Sequence, residues 1–423
     1  MWLRLVVRTL LLTLVMVQLS TPDGLPQTPG ASGPSATASL WTDREWAQAR
    51  RFSPLPPLPA DPTNALADNL QAARLGHQLF FDPRLSPRGV ACATCHQPER
   101  GFTDGLAVAN TLAPLQRNTM TILNVGYYQW LTWDGARDSL WHQAAAPLES
   151  PKEMGSSRLY VVRAVMQYYG AAFRQLGPLP ETWDTLWPTL PSTGQPGEPA
   201  FDMLPPAHQE AVNRVFTTIL KCLAAYERQV VSTRAPFDQY VAGDTTALSR
   251  SGQRGFQHFL RLECDTCHTT PLFSDDQFHN LALPSGSGPD PGRAEGLQRL
   301  QESLFRGTGP YADSPPVVRA EDYVVGKALV GSFRTPSLRE LASTAPYGHN
   351  GVLYTLEEWL DHYVSVTSSP PETLLGTLDP ALAPVEITPQ EKQELTDFLL
   401  SLSSAYASAW TQKPAELPGT PAP

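Results

Sequence analysis

The sequence predicts a mainly α-helical protein made of two small helical domains packed together, and three observations predict it. One motif occurs twice, as Cys92-Ala-Thr-Cys95-His96 and as Cys264-Asp-Thr-Cys267-His268. Its surroundings repeat as well: Gly76-His-Gln-Leu-Phe80 precedes the first copy and Gly255-Phe-Gln-His-Phe259 the second, while Phe102-Thr-Asp104 and Phe273-Ser-Asp275 follow them. A weak internal repeat of this kind marks two copies of one structural unit. Helix signals form the second observation. Thr388-Pro389-Gln-Glu391 is a capping box with proline at the first helical position, and Leu395, Phe398, Leu399 and Leu402 then make one apolar stripe. Thr355-Leu-Glu-Glu358 is a second capping box, opening a helix through Tyr363. The third observation is that no run of alternating strands occurs, which limits β structure to short hairpins.

A chain of 423 residues can hold two domains of ordinary size, each with its own core. Its 42 prolines are about twice the usual share and point to long irregular connections. The net charge of −10 argues against nucleic acid and against an anionic membrane surface as partners. The N-terminus reads as a basic Met-Trp-Leu-Arg followed by an apolar run from Leu5 to Leu19, broken by Arg8, Thr9, Thr13 and Gln18. That run has the length of a signal-peptide core and is too short and interrupted for a membrane span, so residues 1–20 are expected to direct export to the periplasm. Cleavage and retention as an N-terminal anchor both stay open. Residues 21–60 are expected to be a proline-rich linker and residues 409–423 a disordered tail.

Four of the five cysteines lie in the two C-x-x-C-H motifs. Covalent haem c needs two thiols, one for each vinyl group of a porphyrin, and an adjacent histidine to meet the iron. A zinc site needs further Cys or His ligands at short spacing, and a thioredoxin-type pair lacks the fixed histidine. Two covalently bound haem c groups are therefore expected, held by Cys92, Cys95 and His96 and by Cys264, Cys267 and His268. Each domain is then a cytochrome c-like shell around one haem: residues 61–206, with a linker or inserted loop at 177–206, and residues 207–408. The remaining cysteine, Cys222, sits in the helical pattern Ile219-Leu-Lys-Cys-Leu-Ala-Ala-Tyr226 and reads as a buried structural thiol.

The second axial ligand decides what each haem can do, because a six-coordinate iron only passes electrons whereas an open one can bind and cleave a peroxide. All six methionines precede the second motif, so a His/Met haem in the C-terminal domain is improbable. On the Thr355-capped helix, Leu356, Trp359, Leu360 and Tyr363 share one face, so Tyr363 points inward and its neighbour His362 is expected at the surface. By spacing alone, Tyr363 reads as a core tyrosine. The other histidines, His77, His142, His208, His258 and His279, read as structural.

At this point the residues resemble a known family, the bacterial di-haem cytochrome c peroxidase and MauG superfamily. The resemblance runs from about Asn64 to Ser404. It is carried by Arg117-Asn118-Thr, Trp133-Asp-Gly135, Gln143-x3-Pro147-x5-Glu153-Met154, Phe333-Arg-Thr-Pro-Ser-Leu-Arg339, Thr344-Ala-Pro-Tyr-Gly-His-Asn-Gly351 and Thr355-Leu-Glu-Glu358. The resemblance implies two cytochrome c-like domains with a tryptophan and a calcium ion between their haems. It makes His96 and His268 the proximal ligands. Gln143 and Glu153 match the pair over the peroxidatic N-terminal haem, where the glutamate moves a proton between the peroxide oxygens and the glutamine holds them. Trp133 matches the tryptophan between the haems, and Asn118, Thr344 and Pro346 match the calcium ligands, the last two through their carbonyls.

Two departures from the family pattern separate the haems. Standard members carry a distal histidine soon after the first motif, but no histidine lies between His96 and Trp133, which implies an N-terminal iron open at rest. Standard members carry methionine where this chain has Tyr363. MauG has tyrosine there, which makes Tyr363 the expected axial ligand of the second haem. The tryptophan that MauG carries just before its second motif is Leu262 here. The expected function is a di-haem peroxidase that reduces hydrogen peroxide with electrons from a small soluble donor, a c-type cytochrome or a cupredoxin, with a homodimer as a further candidate association. The alternatives are a MauG-like oxidase that turns a high-valent state on a protein or organic substrate, and a plain di-haem electron carrier.

Overall fold

Two close helix crossings, each permitted by one glycine, organise the molecule. The computed structural model describes residues 39–419 apart from positions 285, 287, 317, 318, 320, 321, 325, 370, 372, 373 and 407, so the expected signal segment lies outside the described residues. In chain order the helices are α1 (Asp43–Ala49), α2 (Leu70–Phe80), α3 (Cys92–Cys95), α4 (Leu140–Glu149), α5 (Arg158–Arg174), α6 (Trp183–Leu186), α7 (Pro199–Asp202), α8 (Pro206–Glu227), α9 (Pro236–Val241), α10 (Arg250–Arg261), α11 (Arg293–Glu302), α12 (Leu356–Ser368) and α13 (Pro389–Leu400). Two-residue strands β1 (Phe278–His279) and β2 (Phe333–Arg334) pair antiparallel across a long connection that contains α11, so among the described residues sheet is confined to one short, non-local pair.

Gly76 of α2 faces the backbone of α8: a Cβ there would stand 1.9 Å from the carbonyl oxygen of Cys222. Gly255 of α10 faces α13 in the same way, 1.9 Å from the carbonyl of Glu394. Only a residue without a side chain allows the axes to approach this closely. The two glycines are the equivalent positions of the internal repeat, so the repeat expresses one packing rule used twice.

Each crossing seeds a core. The first gathers α2, α4, α5 and α8, with Leu79, Phe80, Trp141, Phe216, Leu220 and Tyr226 all buried. The C-terminal half of α8 is buried on every face, as its continuous apolar run requires. Cys222 is fully buried there, as expected. The second core gathers α9, α10, α12 and α13 around Phe237, Phe256, Phe259, Phe273 and Phe398. Ring centroids of Phe259 and Phe398 lie 5.3 Å apart. Burying each such side chain stabilises the fold by about 1.5–3 kcal/mol.

Several boundaries differ from expectation because packing, not composition, sets them. The boundary at residue 207 puts α8 in the second domain, yet its buried face lies in the first core against α2. Residues 39–60, expected to be linker, contain α1 and send Trp41 and Phe52 into the second core. Within 177–206, Trp183, Leu186, Leu190 and Phe201 are buried against the first core, so this segment is a packed cover and not a free loop. Residues 409–411 of the expected tail form a 3-10 turn, whose last residue, Thr411, is buried. Both capping boxes hold, at Thr355 and at Thr388, although α12 runs on past Tyr363 to Ser368.

Candidate functional site

The two C-x-x-C-H motifs adopt one local design. Cys92–Cys95 forms a single helical turn and Cys264–Thr266 a 3-10 turn. The amide of His96 bonds the carbonyl of Cys92 at 3.0 Å, and that of His268 bonds Cys264 at 2.9 Å. Nδ1 of His96 meets the carbonyl of Phe102 at 3.1 Å, and Nδ1 of His268 meets that of Phe273 at 2.9 Å. Both phenylalanines have left-handed backbone, φ 59° and 55°. A side chain resists that conformation, so two copies at equivalent places point to a positional requirement. It turns the carbonyl back toward the ring, fixes the proton on Nδ1 and leaves Nε2 as the basic nitrogen. Burial holds both imidazoles below the usual histidine range, which keeps them in the neutral form that ligates metal. The sequence repeat contains these phenylalanines, but the role of their carbonyls is visible only in three dimensions.

Burial also pushes the thiols of Cys92 and Cys264 up to about 12. The grouping of Cys267 with Asp275 and His279 is not an open cation site. The imidazole of His279 is bonded through one nitrogen to Asp275 at 2.9 Å and through the other to Asp379 at 2.7 Å.

Around the second motif lies a cavity of about 620 Å³, lined by Cys264, Cys267 and His268 and also by Tyr363 of α12. Two buried polar atoms on its lining residues have no partner, Nε of Arg334 and Oδ1 of Asn350. Arg334 is 3 % exposed and its guanidinium lies 3.8 Å from the Tyr128 ring centroid. Nη1 of Arg334 pairs with Asp276 at 3.3 Å, so the orphan is the Nε–H alone. A cavity lined mainly by apolar groups, with one buried donor left open, fits a porphyrin whose carboxylate would accept from that Nε–H. Arg334 was missed at the level of sequence, where it is one member of a matched segment without a role.

Trp133, Asn118, Thr344 and Pro346 line this same cavity. The indole of Trp133 donates to the carbonyl of Asn118 at 3.0 Å, and the amide side chain of Asn118 donates to Leu106 at 2.7 Å. Next to Trp133, the buried carboxylate of Asp134 pairs with Arg117 at 2.6 Å and Arg299 at 2.5 Å. Those charges hold it below the usual carboxylate range against its burial. Removing one partner would strand a buried charge, so this network fixes the backbone on which Trp133 sits. His362, expected at the surface, is half-buried and bonds the carbonyl of Leu281 at 2.8 Å, because the 280s segment folds over that side of α12.

Gln143 and Glu153 belong to the surroundings of the first motif. Gln143 is half-buried on α4, and Glu153 is half-buried on the turn that follows it. That turn is tied to the motif in two steps. The amides of Leu112 and Ala113 bond the carbonyl of Lys152 at 3.1 and 3.2 Å, and Thr111 touches the sulfur of Cys95 at 3.1 Å. Burial raises the Glu153 carboxyl above its ordinary value, opposed by a hydrogen bond from Ser150 and by the charge of Arg137. A raised carboxyl in this position can carry a proton in either direction. No hydrogen bond joins Gln143 to Glu153 among the described residues. His142, beside Gln143, is pushed down to about 4 by burial and bonds Asp138, a structural role.

Three comparisons agree with this geometry. The family model described as di-haem cytochrome c peroxidase matches residues 70–246. The methylamine utilization protein MauG of Methylorubrum extorquens is 35 % identical over 340 residues, covering 79 % of this chain and 78 % of the relative. The cytochrome-c peroxidase IdrP1 of Denitromonas iodatirespirans is 34 % identical, covering 84 % and 87 %. Among solved structures, a MauG-like protein associated with microbial copper homeostasis superposes with a TM-score of 0.59 at 28 % identity, over 86 % of this chain and 99 % of that one. The di-haem peroxidase BthA of Burkholderia thailandensis shares the fold, with a TM-score of 0.59 at 22 % identity over 84 % and 93 %.

Proposed function

The chain belongs to the di-haem cytochrome c peroxidase and MauG family, an oxidoreductase family with two c-type haems, and from that premise we propose that it reduces hydrogen peroxide at the first haem site. The observation that carries this reading is the half-buried Glu153, raised in pKa and anchored through Lys152 and Thr111 to the side of Cys95. The haem supplies an iron that binds the peroxide and two centres that accept and store electrons. The chain's residues do the rest. With Nδ1 of His96 held by the Phe102 carbonyl, Nε2 would be the nitrogen that holds the haem iron. Glu153 would take the proton from one peroxide oxygen and deliver it to the other. The amide of Gln143 donates to the bound oxygens, and the apolar surroundings keep bulk water from competing.

At the second site His268 and Tyr363 would hold the haem iron, and Arg334 would hold a haem carboxylate. Trp133 is the proposed bridge between the haems. Asn118 with the Thr344 and Pro346 carbonyls forms the proposed calcium site, an all-oxygen set suited to a hard cation. Electrons are proposed to come from a small soluble redox protein, and the periplasm is the proposed compartment, supported by the basic and apolar start of the sequence. The deciding experiment is steady-state peroxide turnover by the di-haem protein with reduced cytochrome c or a cupredoxin as donor. Sustained turnover is expected. A long-lived oxidised spectrum without turnover would instead establish the MauG-like oxidase, the reading that Tyr363 on the second cavity favours.

A prediction follows for that tyrosine. Burial raises its phenol further above the ordinary tyrosine value, so outside a metal bond it stays protonated and neutral. Tyr363→Phe is expected to alter the absorption and magnetic spectra of the second haem and leave the first unchanged. An unaltered second haem would remove Tyr363 from the ligand set.

A further inference from the structure

A second cavity, of about 520 Å³, opens at the surface beside the first motif. Ala93 and Thr94, the two residues between the haem-binding cysteines, form one side of it. Phe81, Pro83, Ala91, Pro98 and Glu99 line it as well, and Tyr406, Thr411, Gln412 and Lys413 of the C-terminal segment complete it. Two aromatic arms lead from its walls to His96. Phe81 lies 5.3 Å from Phe80, whose ring lies 6.2 Å from the imidazole of His96. Tyr406 lies 6.4 Å from the ring of Phe102, whose carbonyl binds Nδ1 of His96.

The wall is a built one. Tyr226 donates to the carbonyl of Trp410 at 3.0 Å, and Nε2 of His77 meets the carbonyl of Gln412 at 2.7 Å. The hydroxyl of Thr411, buried at 1 % exposure, bonds the carbonyl of Tyr406 at 2.8 Å. These bonds fix a C-terminal segment whose composition suggests only a tail.

We propose that this cavity is an electron-entry site for a small one-ring phenol. The volume suits a small molecule, and a concave site does not suit the face of a protein. Phe81 and Tyr406 offer rings for stacking, while the Thr94 hydroxyl, the Gln412 amide and the Lys413 ammonium offer partners to a phenolic oxygen. Tyr406 and Phe102 on one arm, and Phe81 and Phe80 on the other, keep the gaps short between occupant and His96. The inference rests on the peroxidase reading, and the chemistry balances with it. Two phenol molecules each lose one electron and one proton from the O–H group and depart as phenoxyl radicals. The two electrons and two protons break the O–O bond of hydrogen peroxide and leave two molecules of water.

The test uses the di-haem protein with guaiacol as probe. In the resting ferric enzyme the proton relaxation of guaiacol is expected to be shortened by the first haem iron, and Gln412→Trp, which fills the cavity mouth from an exposed position, is expected to weaken that binding at least tenfold. Peroxide-driven guaiacol oxidation is expected to fall tenfold or more in Gln412→Trp and in Tyr406→Leu, with turnover by reduced cytochrome c unchanged. Wild-type guaiacol relaxation without shortening, or guaiacol oxidation equal to wild type in both variants, overturns the proposal. Turnover with cytochrome c but none with guaiacol overturns the cavity alone. Absence of turnover with either donor defeats the peroxidase reading and the electron route with it.

Discussion

Glu153→Gln is expected to lower peroxide turnover by about 100- to 10,000-fold, the range over which a positioned acid/base contributes to catalysis. The substitution preserves shape and removes the ability to exchange a proton, so haem content and the spectra of both haems should not change. The pH dependence gives a second, independent readout. Burial sets the Glu153 carboxyl above the ordinary carboxylate range. Only its ionised form can take the peroxide proton, so kcat/KM should fall as pH drops through that raised value. The Gln variant should lack this acidic limb and show a flat, low profile. A variant with normal turnover, or one that keeps the limb, would move the acid/base role to another group.

Gly255→Ala is expected to cost stability at the upper end of the roughly 1–3 kcal/mol typical of overpacking. The added Cβ meets backbone, the Glu394 carbonyl at 1.9 Å, and the Phe398 Cβ at 2.6 Å. Neither can rotate away, so α10 and α13 must move apart. That movement opens the aromatic cluster of Phe256, Phe259, Phe273 and Phe398 and displaces the Phe273 carbonyl that orients His268. Gly326 is the control: nothing lies within 4 Å of a Cβ there, and Gly326→Ala should stay within about 0.5 kcal/mol of wild type. Chemical-denaturation midpoints followed at the second haem's absorption would measure both. An unchanged midpoint in Gly255→Ala would show that the crossing is looser than its geometry indicates.

Features governed by local chemistry were legible in the sequence. The haem motifs, the capping boxes at Thr355 and Thr388, the apolar stripe of α13 and the buried Cys222 all follow from spacing within a few residues. The inward face of Tyr363 is of the same kind, since helical period alone sets it. Boundaries were less legible. Composition marks residues 39–60, 177–206 and 409–419 as irregular, and irregular they largely are, but Trp41, Phe52, Trp183, Phe201 and Thr411 bury their side chains at cores that no local rule can locate.

What the sequence determined by itself is the chemistry available: two C-x-x-C-H motifs, each ending in a histidine, and a paired Gly and Phe in each repeat. Tertiary structure decided how that chemistry is arranged. It assigned α8 to the first core, bent the Phe102 and Phe273 carbonyls onto the histidines, left Arg334 with an unpaired nitrogen at the second cavity, and brought the C-terminal segment to the surface of the first motif. The reason is physical. Thiols, imidazoles and caps act over one turn of chain, whereas burial, pKa and the shape of a cavity are set by groups far apart in sequence that only the packed fold makes neighbours.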